Sequence, residues 1–163
     1  MQNGKKFLMS ELSRHSQDEA PLVIGDFYEG VYGPTIILIL MSRAAGAWFQ
    51  AILRELASGG PPKRLTSDPN VHVAHLGEIE MTTRTSDPQV AVKRRDADGK
   101  ASFVWSATRQ GWQYLADLTQ PLCTSGAGHH YLTDDNDDDC LIELSFGEQG
   151  VLDSVRSAQD DGS

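Results

Sequence analysis

The amino-acid sequence predicts an α+β domain in which two amphipathic helices pack on a mainly antiparallel sheet of about six strands. Three observations support this prediction: two apolar segments separated by turn residues, two segments with helical periodicity, and a stretch of alternating apolar and polar residues. With 163 residues and 39% apolar side chains, the chain is long enough to bury one sizeable core. We expect a loosely held arm at residues 1–20, a single domain at 21–150 and a frayed polar tail at 151–163.

Two strands joined by a turn begin the predicted domain. Residues 22–28 and 35–41 are rich in β-branched and aromatic side chains, and the intervening residues 30–34 contain glycine and proline. Because residues 35–41 are apolar on both faces of a strand, we expect them to lie at the centre of the sheet with cover on each side. This apolar run is much shorter than the about 20 residues that a membrane-spanning helix needs.

An amphipathic helix is predicted over residues 42–58, with Ser42 as its N-cap. The Gly-Gly-Pro-Pro sequence at residues 59–62 ends this helix, because glycine accepts a left-handed cap and proline cannot continue the hydrogen-bond ladder. The apolar residues recur at helical spacing and form one broad stripe, which comprises Ala45, Trp48, Phe49, Ile52, Leu53 and Leu56.

The apolar period changes to two from residue 71 onward. Apolar side chains alternate with polar ones over residues 71–105, and turn residues divide this stretch into short segments. The alternation predicts an antiparallel meander with one face exposed to solvent. Residues 93–95 are basic, but Asp96 and Asp98 follow them closely. Because a nucleic-acid-binding patch lacks such interleaved acids, we interpret the basic residues as part of a solvated strand face.

The last predicted elements are a second helix and two short strands. Residues 108–122 carry a helical apolar stripe that includes Trp112, with Ser106 or Thr108 as the N-cap, and Pro121 bends or ends this helix. Residues 130–132 are predicted to form a short strand, and residues 140–146 the last strand of the sheet. The segment between these two strands is predicted to be a loop.

The net negative charge of the chain is concentrated in its last quarter. Residues 1–120 contain 13 acidic and 13 basic side chains, whereas residues 121–163 contain 10 acidic side chains and one arginine, which accounts for the formal net charge of −9. Five aspartates occupy six positions at residues 134–139. Their carboxylates repel one another, so the segment stays solvated unless a cation or a basic surface neutralises it. This charge disfavours nucleic acid as a ligand and favours a basic protein partner.

Metal-ligand residue types surround the acidic run, but their spacing argues against a metal site. If the run began a calcium-binding loop at Asp134, glycine would be required at position 139 and glutamate at position 145, and neither is present. The zinc-type ligands follow no known finger spacing and include no Cys-x-x-Cys pair. We therefore predict no metal and no cofactor. These zinc-type ligands are Cys123, His129, His130 and Cys140.

No catalytic motif is evident in the sequence, and we therefore predict that the protein is not an enzyme. The chain contains no nucleophile elbow, no Walker phosphate-binding loop and no glycine-rich dinucleotide turn. The first residues lack the apolar core of a secretory signal, so we expect a cytoplasmic protein. In that compartment the two cysteines are compatible with reduced thiols.

The C-terminal half of the chain has a distinctive order of elements. Trp105 precedes the second predicted helix, and the sequence Gly-His-His-Tyr-Leu at 128–132 precedes an acidic turn and an apolar strand that ends in Ser-Phe-Gly-Glu at 145–148. In this order residues 105–148 resemble small immunity-type proteins of bacterial polymorphic toxin systems. The resemblance implies a cytoplasmic protein without enzymatic activity that binds and blocks one cognate toxin domain. Toxins of this kind often act on nucleic acid and are basic, so an acidic inhibitor surface complements them.

Our leading hypothesis is therefore an immunity protein that occludes the basic substrate cleft of a toxin with an acidic surface. Charge complementarity accelerates association, and a few apolar or aromatic anchors such as Tyr131 supply affinity. Two alternatives stay open: a generic interaction or adaptor domain, and a small metal-dependent enzyme that uses His129, His130 and the acidic run. The expected partner-binding residues are Asp134, Asp135, Asp137, Asp138, Asp139, Tyr131, His130, Glu143 and Glu148.

Overall fold

The computed structural model describes residues 22–133 and 139–147, which form two α-helices and nine strands. The expected arm at 1–20 and the expected tail at 151–163 lie outside the described residues. In chain order the elements are β1 (Val23–Gly30), β2 (Gly33–Leu40), α1 (Arg43–Ala57), β3 (Lys63–Arg64), a 3₁₀ turn (Leu65–Ser67), β4 (Val71–Ala74), β5 (Ile79–Arg84), β6 (Val90–Arg94), β7 (Phe103–Thr108), α2 (Arg109–Ser125), β8 (His129–Tyr131) and β9 (Leu141–Phe146).

The strands form two mixed sheets, and this corrects the prediction of one mainly antiparallel sheet of about six strands. The five-stranded sheet has the order β4-β1-β2-β9-β8, and the four-stranded sheet has the order β3-β5-β7-β6. Three of the pairings are parallel: β1 with β4, β2 with β9 and β5 with β7. The α+β class is confirmed. The predicted meander over 71–105 is wrong, because β4 joins the other sheet and β7 inserts between β5 and β6.

The first hairpin and its central strand are confirmed. Strands β1 and β2 pair antiparallel from Val23 opposite Leu40 to Gly30 opposite Gly33. Gly33 has a φ of +111°, a conformation that glycine adopts without a steric penalty. Strand β2 lies between β1 and β9, and its residues from position 35 to position 40 are all buried. Two-sided burial explains why this segment is apolar at successive positions and does not alternate.

Both helices begin at the residues that the sequence indicates. The Ser42 hydroxyl accepts a hydrogen bond from the Ala45 N–H (3.1 Å), and the Thr108 hydroxyl accepts one from the Gly111 N–H (3.0 Å). Helix α2 continues past Pro121 to Ser125, so the predicted end at residue 122 is too early. Neither helix in the described ranges is long and apolar enough to cross a membrane.

One hydrophobic core contacts both sheets and both helices. Phe49 of α1 is fully buried, and the rings of Trp105 and Trp112 meet edge to face with centroids 5.3 Å apart. The Trp112 indole N–H donates to the Thr82 carbonyl (3.2 Å), which ties α2 to the four-stranded sheet. The helices approach closely at Gly46, where an added Cβ would lie 3.2 Å from the Cys123 Sγ. The apolar stripe of α1 therefore faces the core as predicted.

Candidate functional site

In the sequence the acidic run falls between β8 and β9, and the end of β8 and the start of β9 lie together at one end of the five-stranded sheet. Because β2 and β9 are parallel and Thr35 pairs with Leu141, the turn between β1 and β2 lies at this same end. We call this end of the sheet, with the β1–β2 turn and the β8–β9 connection, the acidic end. The expected site residues Asp134, Asp135, Asp137, Asp138 and Glu148 lie outside the described residues.

Tyr131 and Glu143 occupy directly opposite positions on β8 and β9 at the acidic end. Two further tyrosines lie near them: Tyr28 on β1 and Tyr32 in the β1–β2 turn. The Glu143 carboxylate raises the pKa of Tyr131, and partial burial and the nearby Tyr32 act in the same direction. Burial is the main cause that raises the pKa of Tyr28, and Glu143 adds to it. We call Tyr28, Tyr32 and Tyr131 the tyrosine cluster.

The tyrosine cluster is largely open to solvent. Tyr32 is 88% exposed and Tyr131 52% exposed, and the neighbouring Val31 is 97% exposed. The sequence analysis identified Tyr131 and Glu143 but missed Tyr28 and Tyr32. These two residues belong to a hairpin roughly a hundred positions earlier in the chain, and only the parallel pairing of β2 with β9 brings them to the same end of the sheet.

Asp139, the described member of the acidic run, is bound to the edge of the four-stranded sheet. Its backbone N–H donates to the Val92 carbonyl (3.0 Å), and its carboxylate accepts from the Arg94 backbone N–H (3.1 Å). The Lys93 ammonium lies 3.9 Å from the other carboxylate oxygen. Asp139 thus links the β8–β9 connection of one sheet to strand β6 of the other.

The basic segment at 93–95 is also engaged by other residues of the same chain. The Arg94 guanidinium donates to Asp96 (2.8 Å), lies 3.5 Å from Glu29, and covers the ring of Phe27 at 5.2 Å from its centroid. The hydrogen bond with Asp96 raises the pKa of Arg94 and lowers that of Asp96. This arrangement agrees with the interpretation of these residues as a partly solvated strand face.

The two histidines do not form one site. His129 and His130 are consecutive on β8, so their side chains point to opposite faces of the sheet. The His129 ring meets the Tyr131 ring edge to face at 6.2 Å, whereas His130 is half-buried. Within residues 22–133 and 139–147, no group of three or more His, Cys, Asp or Glu side chains is arranged to hold a metal ion.

Cys123 and Cys140 are not joined in a disulfide. Cys123 packs against Gly46 at the contact between the helices, and Cys140 is buried at the start of β9. Burial raises the pKa of the Cys123 thiol, so this thiol is protonated and weakly nucleophilic at neutral pH. Both cysteines therefore pack as small apolar side chains.

The fold defines the protein broadly, as an α+β domain of two mixed sheets and two helices with a tyrosine-rich end. No family model, no curated protein and no solved structure matched the chain. The functional argument therefore depends on the surface itself.

Proposed function

We propose that the protein is an immunity-type inhibitor that binds a basic toxin domain through the acidic end and thereby blocks the toxin's substrate cleft. The observation that carries the proposal is the tyrosine cluster, which lies exposed at the same end of the sheet as the β8–β9 connection with its acidic run. Aromatic anchors next to concentrated charge are the composition expected of a protein-binding surface.

The tyrosines supply the affinity in this proposal. A tyrosine side chain buries a large area on binding and loses little conformational freedom, because only two torsion angles become fixed. Tyr131 lies opposite Glu143 and Tyr28 is also close to it, so a basic side chain of the partner can meet this carboxylate beside aromatic rings. Rings that exclude water around such an ion pair strengthen the pair.

The acidic run accelerates association in this proposal. Clustered carboxylates attract a basic surface over about a Debye length and accelerate productive encounter. Asp139 already uses its N–H and carboxylate within the chain, so we assign it to holding the connection in place. The other four aspartates, with Glu143 and Glu148, are the proposed contacts for arginine and lysine. When these carboxylates contact the basic cleft of the toxin, they compete with the phosphates of its nucleic-acid substrate.

The proposal is tested by binding kinetics against the product of the neighbouring gene, with tyrosine-to-alanine variants. We expect Tyr32→Ala and Tyr131→Ala each to weaken binding by about 2 kcal/mol, which is about thirtyfold in Kd, mainly through faster dissociation. Tyr114→Ala is the matched control, because Tyr114 is a similarly exposed tyrosine on α2 (56%). Equal affinities for all three variants and the wild type would place the interface elsewhere.

A second measurement separates inhibition from simple adaptor binding. The partner's activity on nucleic acid is assayed with increasing amounts of the protein, and an inhibitor abolishes this activity at a one-to-one ratio. A partner that binds through the tyrosine cluster but keeps full activity would support the adaptor hypothesis and contradict toxin neutralisation.

A further inference from the structure

A cleft lies at the end of the four-stranded sheet remote from Arg94. It has a volume of about 990 Å³ and lies among the ends of β5 and β7, the start of α2 and the loop that follows α1. Strand β6 begins at Val90 beside this cleft and ends at Arg94, which contacts the acidic end. The cleft is therefore separate from the surface proposed for partner binding, and the inference drawn from it does not depend on that proposal.

We propose that this cleft binds a small ligand with a phosphate group. Two arginines line it, Arg84 at the end of β5 and Arg109 at the start of α2. Among the described residues neither guanidinium is paired with a carboxylate, whereas the side chains of Lys63, Arg64 and Arg94 all are. In a chain with a net charge of −9, two unpaired arginines in one cleft create a local preference for an anion. Guanidinium groups bind phosphate oxygens in a bidentate manner, which favours phosphate over a simple halide.

Three threonines are among the residues that line the cleft: Thr82, Thr83 and Thr85. The Thr83 hydroxyl donates to the Leu56 carbonyl (3.3 Å). The strands β5 and β7 are parallel neighbours whose carboxyl ends, at Arg84 and Thr108, meet here. In open α/β sheets, ligands commonly bind beyond the carboxyl ends of parallel strands. Here the first turn of the 17-residue helix α2 adds its partial positive charge at this end.

The walls of the cleft are held in place by backbone contacts. The Thr108 N–H donates to the Gln89 carbonyl (2.9 Å), and an added Cβ on Gly111 would overlap that same carbonyl oxygen. On the opposite wall, Gly59 has a φ of +84°, and an added Cβ there would overlap the Arg109 guanidinium. The Arg84 guanidinium donates to the Asp87 carbonyl (3.2 Å), which orients it without neutralising its charge. Arg84 is therefore oriented before a ligand binds, which lowers the entropic cost of binding.

Asp87 narrows the class of ligand. Asp87 is also among the lining residues, which therefore carry a formal charge of +1 from two arginines and one aspartate. A carboxylate next to an anion site repels a second anionic group and accepts hydrogen bonds from hydroxyl groups. The ligand that fits is therefore a phosphate monoester with hydroxyl groups near the phosphate, of the size that clefts of this volume commonly hold.

The test is a titration followed by amide NMR shifts, with inorganic phosphate and ribose 5-phosphate as probes and ribose as the uncharged control. We expect saturable shifts at millimolar concentrations in the first turn of α2 and at residues 85–89, with ribose 5-phosphate binding more tightly than inorganic phosphate. The variants Arg84→Gln and Arg109→Gln should each weaken binding about tenfold. Arg95→Gln removes the same charge from an exposed position outside the cleft and should leave the Kd within about twofold.

Three outcomes would overturn the proposal. The first is the absence of saturable shifts with either probe. The second is an equal loss of affinity in Arg95→Gln, because that would indicate non-specific attraction of anions. The third is tighter binding of a single-stranded oligonucleotide than of ribose 5-phosphate, which would assign the cleft to a nucleic-acid backbone. Thermal unfolding of each variant confirms that the fold is intact, since both arginines are at least partly exposed.

Discussion

At the scale of single residues, burial decides which aromatic side chains hold the fold and which are available for binding. Phe49, Trp105 and Trp112 have no exposed surface, whereas Tyr32 and Tyr131 are mostly exposed. Aromatic side chains thus form part of the core in α1, β7 and α2, and they are exposed to solvent at the acidic end. We therefore expect substitutions of the buried aromatic residues to change the free energy of unfolding, and substitutions of the exposed tyrosines to change binding affinity.

Phe49→Ala should lower the free energy of unfolding by about 3–5 kcal/mol, because it removes a fully buried ring and leaves a cavity in the core. The measurement is chemical denaturation, in which the midpoint falls while the slope is unchanged. Tyr114→Ala, at an exposed position of α2, is the control and should change the free energy of unfolding by less than about 0.5 kcal/mol. An unchanged midpoint for Phe49→Ala would contradict the packing of α1.

The Tyr131 phenol should titrate above the ordinary tyrosine value, because the Glu143 carboxylate opposes a second negative charge beside it. Glu143→Gln should lower the pKa of Tyr131, and it should lower that of Tyr28 less, since burial is the larger cause there. In each case the raised pKa means that the folded state favours the neutral phenol. The contribution of each phenol to the free energy of unfolding is fully present below its unfolded-state pKa. This contribution is lost as the pH rises through its folded-state pKa. NMR titration of the tyrosine ring carbons measures both values, and a Tyr131 pKa that Glu143→Gln leaves unchanged would contradict the assigned cause.

At the scale of elements, the β8–β9 connection joins the two sheets. It leaves β8 beside Tyr131, and Asp139 then binds the edge of β6 before β9 begins. A strand edge with free N–H and C=O groups invites unwanted pairing, and Asp139 covers part of the β6 edge. One member of the acidic run therefore has a structural function that its composition alone does not indicate.

Replacement of all five aspartates at 134–139 by asparagine should slow association with the proposed basic partner and remove most of the dependence of this rate on salt. Dissociation should change less, because steering charges act before contact. A second variant that retains Asp139 and changes only the other four is the matched comparison, and it should give nearly the same rates. Surface-based kinetics at low and moderate salt measures both. Wild-type rates for the variant with all five asparagines would contradict an interface at the loop and would favour one on the exposed face of β5, β6 and β7.

At the scale of the whole molecule, one core shared by two sheets and two helices holds the described part of the chain together. A core of this kind supports folding without a metal or a cross-link in a chain of this length. The charged surfaces lie outside this core. The acidic end of the five-stranded sheet contacts Arg94 at one end of β6, and the arginine-lined cleft lies at the other end of the four-stranded sheet. The acidic end and the arginine-lined cleft are therefore expected to be independent in binding experiments.

Removal of metal ions should leave the stability of the protein unchanged. The spacing of the acidic run and of the Cys/His set does not suit calcium or zinc, so EDTA should not alter the melting temperature. The control is the same melt with added calcium or zinc, which should also leave the midpoint in place. A drop of several degrees in EDTA, or stoichiometric metal in the purified protein, would overturn this prediction.

The sequence by itself determined the local features of this protein. Ser42 and Thr108 cap the two helices as expected, β2 lies at the centre of its sheet, and the α+β class is correct. These features were predictable because capping hydrogen bonds span a few residues and because an apolar period reports which face of an element is buried. Tyr131 and Glu143 were likewise placed among the candidates from their position beside the acidic run.

Only the tertiary structure decided which strands pair, and with this the composition of both candidate sites. The parallel pairing of β2 with β9 brings the Tyr28–Tyr32 hairpin to the acidic end, and the parallel pairing of β5 with β7 places Arg84 near Arg109. The contact between the helices likewise could not be predicted from the sequence. There the Gln50 side-chain amide donates to Ala116 and Thr119 of α2. Periodicity specifies burial but not the neighbour that provides it, because many strand orders bury the same faces and packing over the whole chain selects among them.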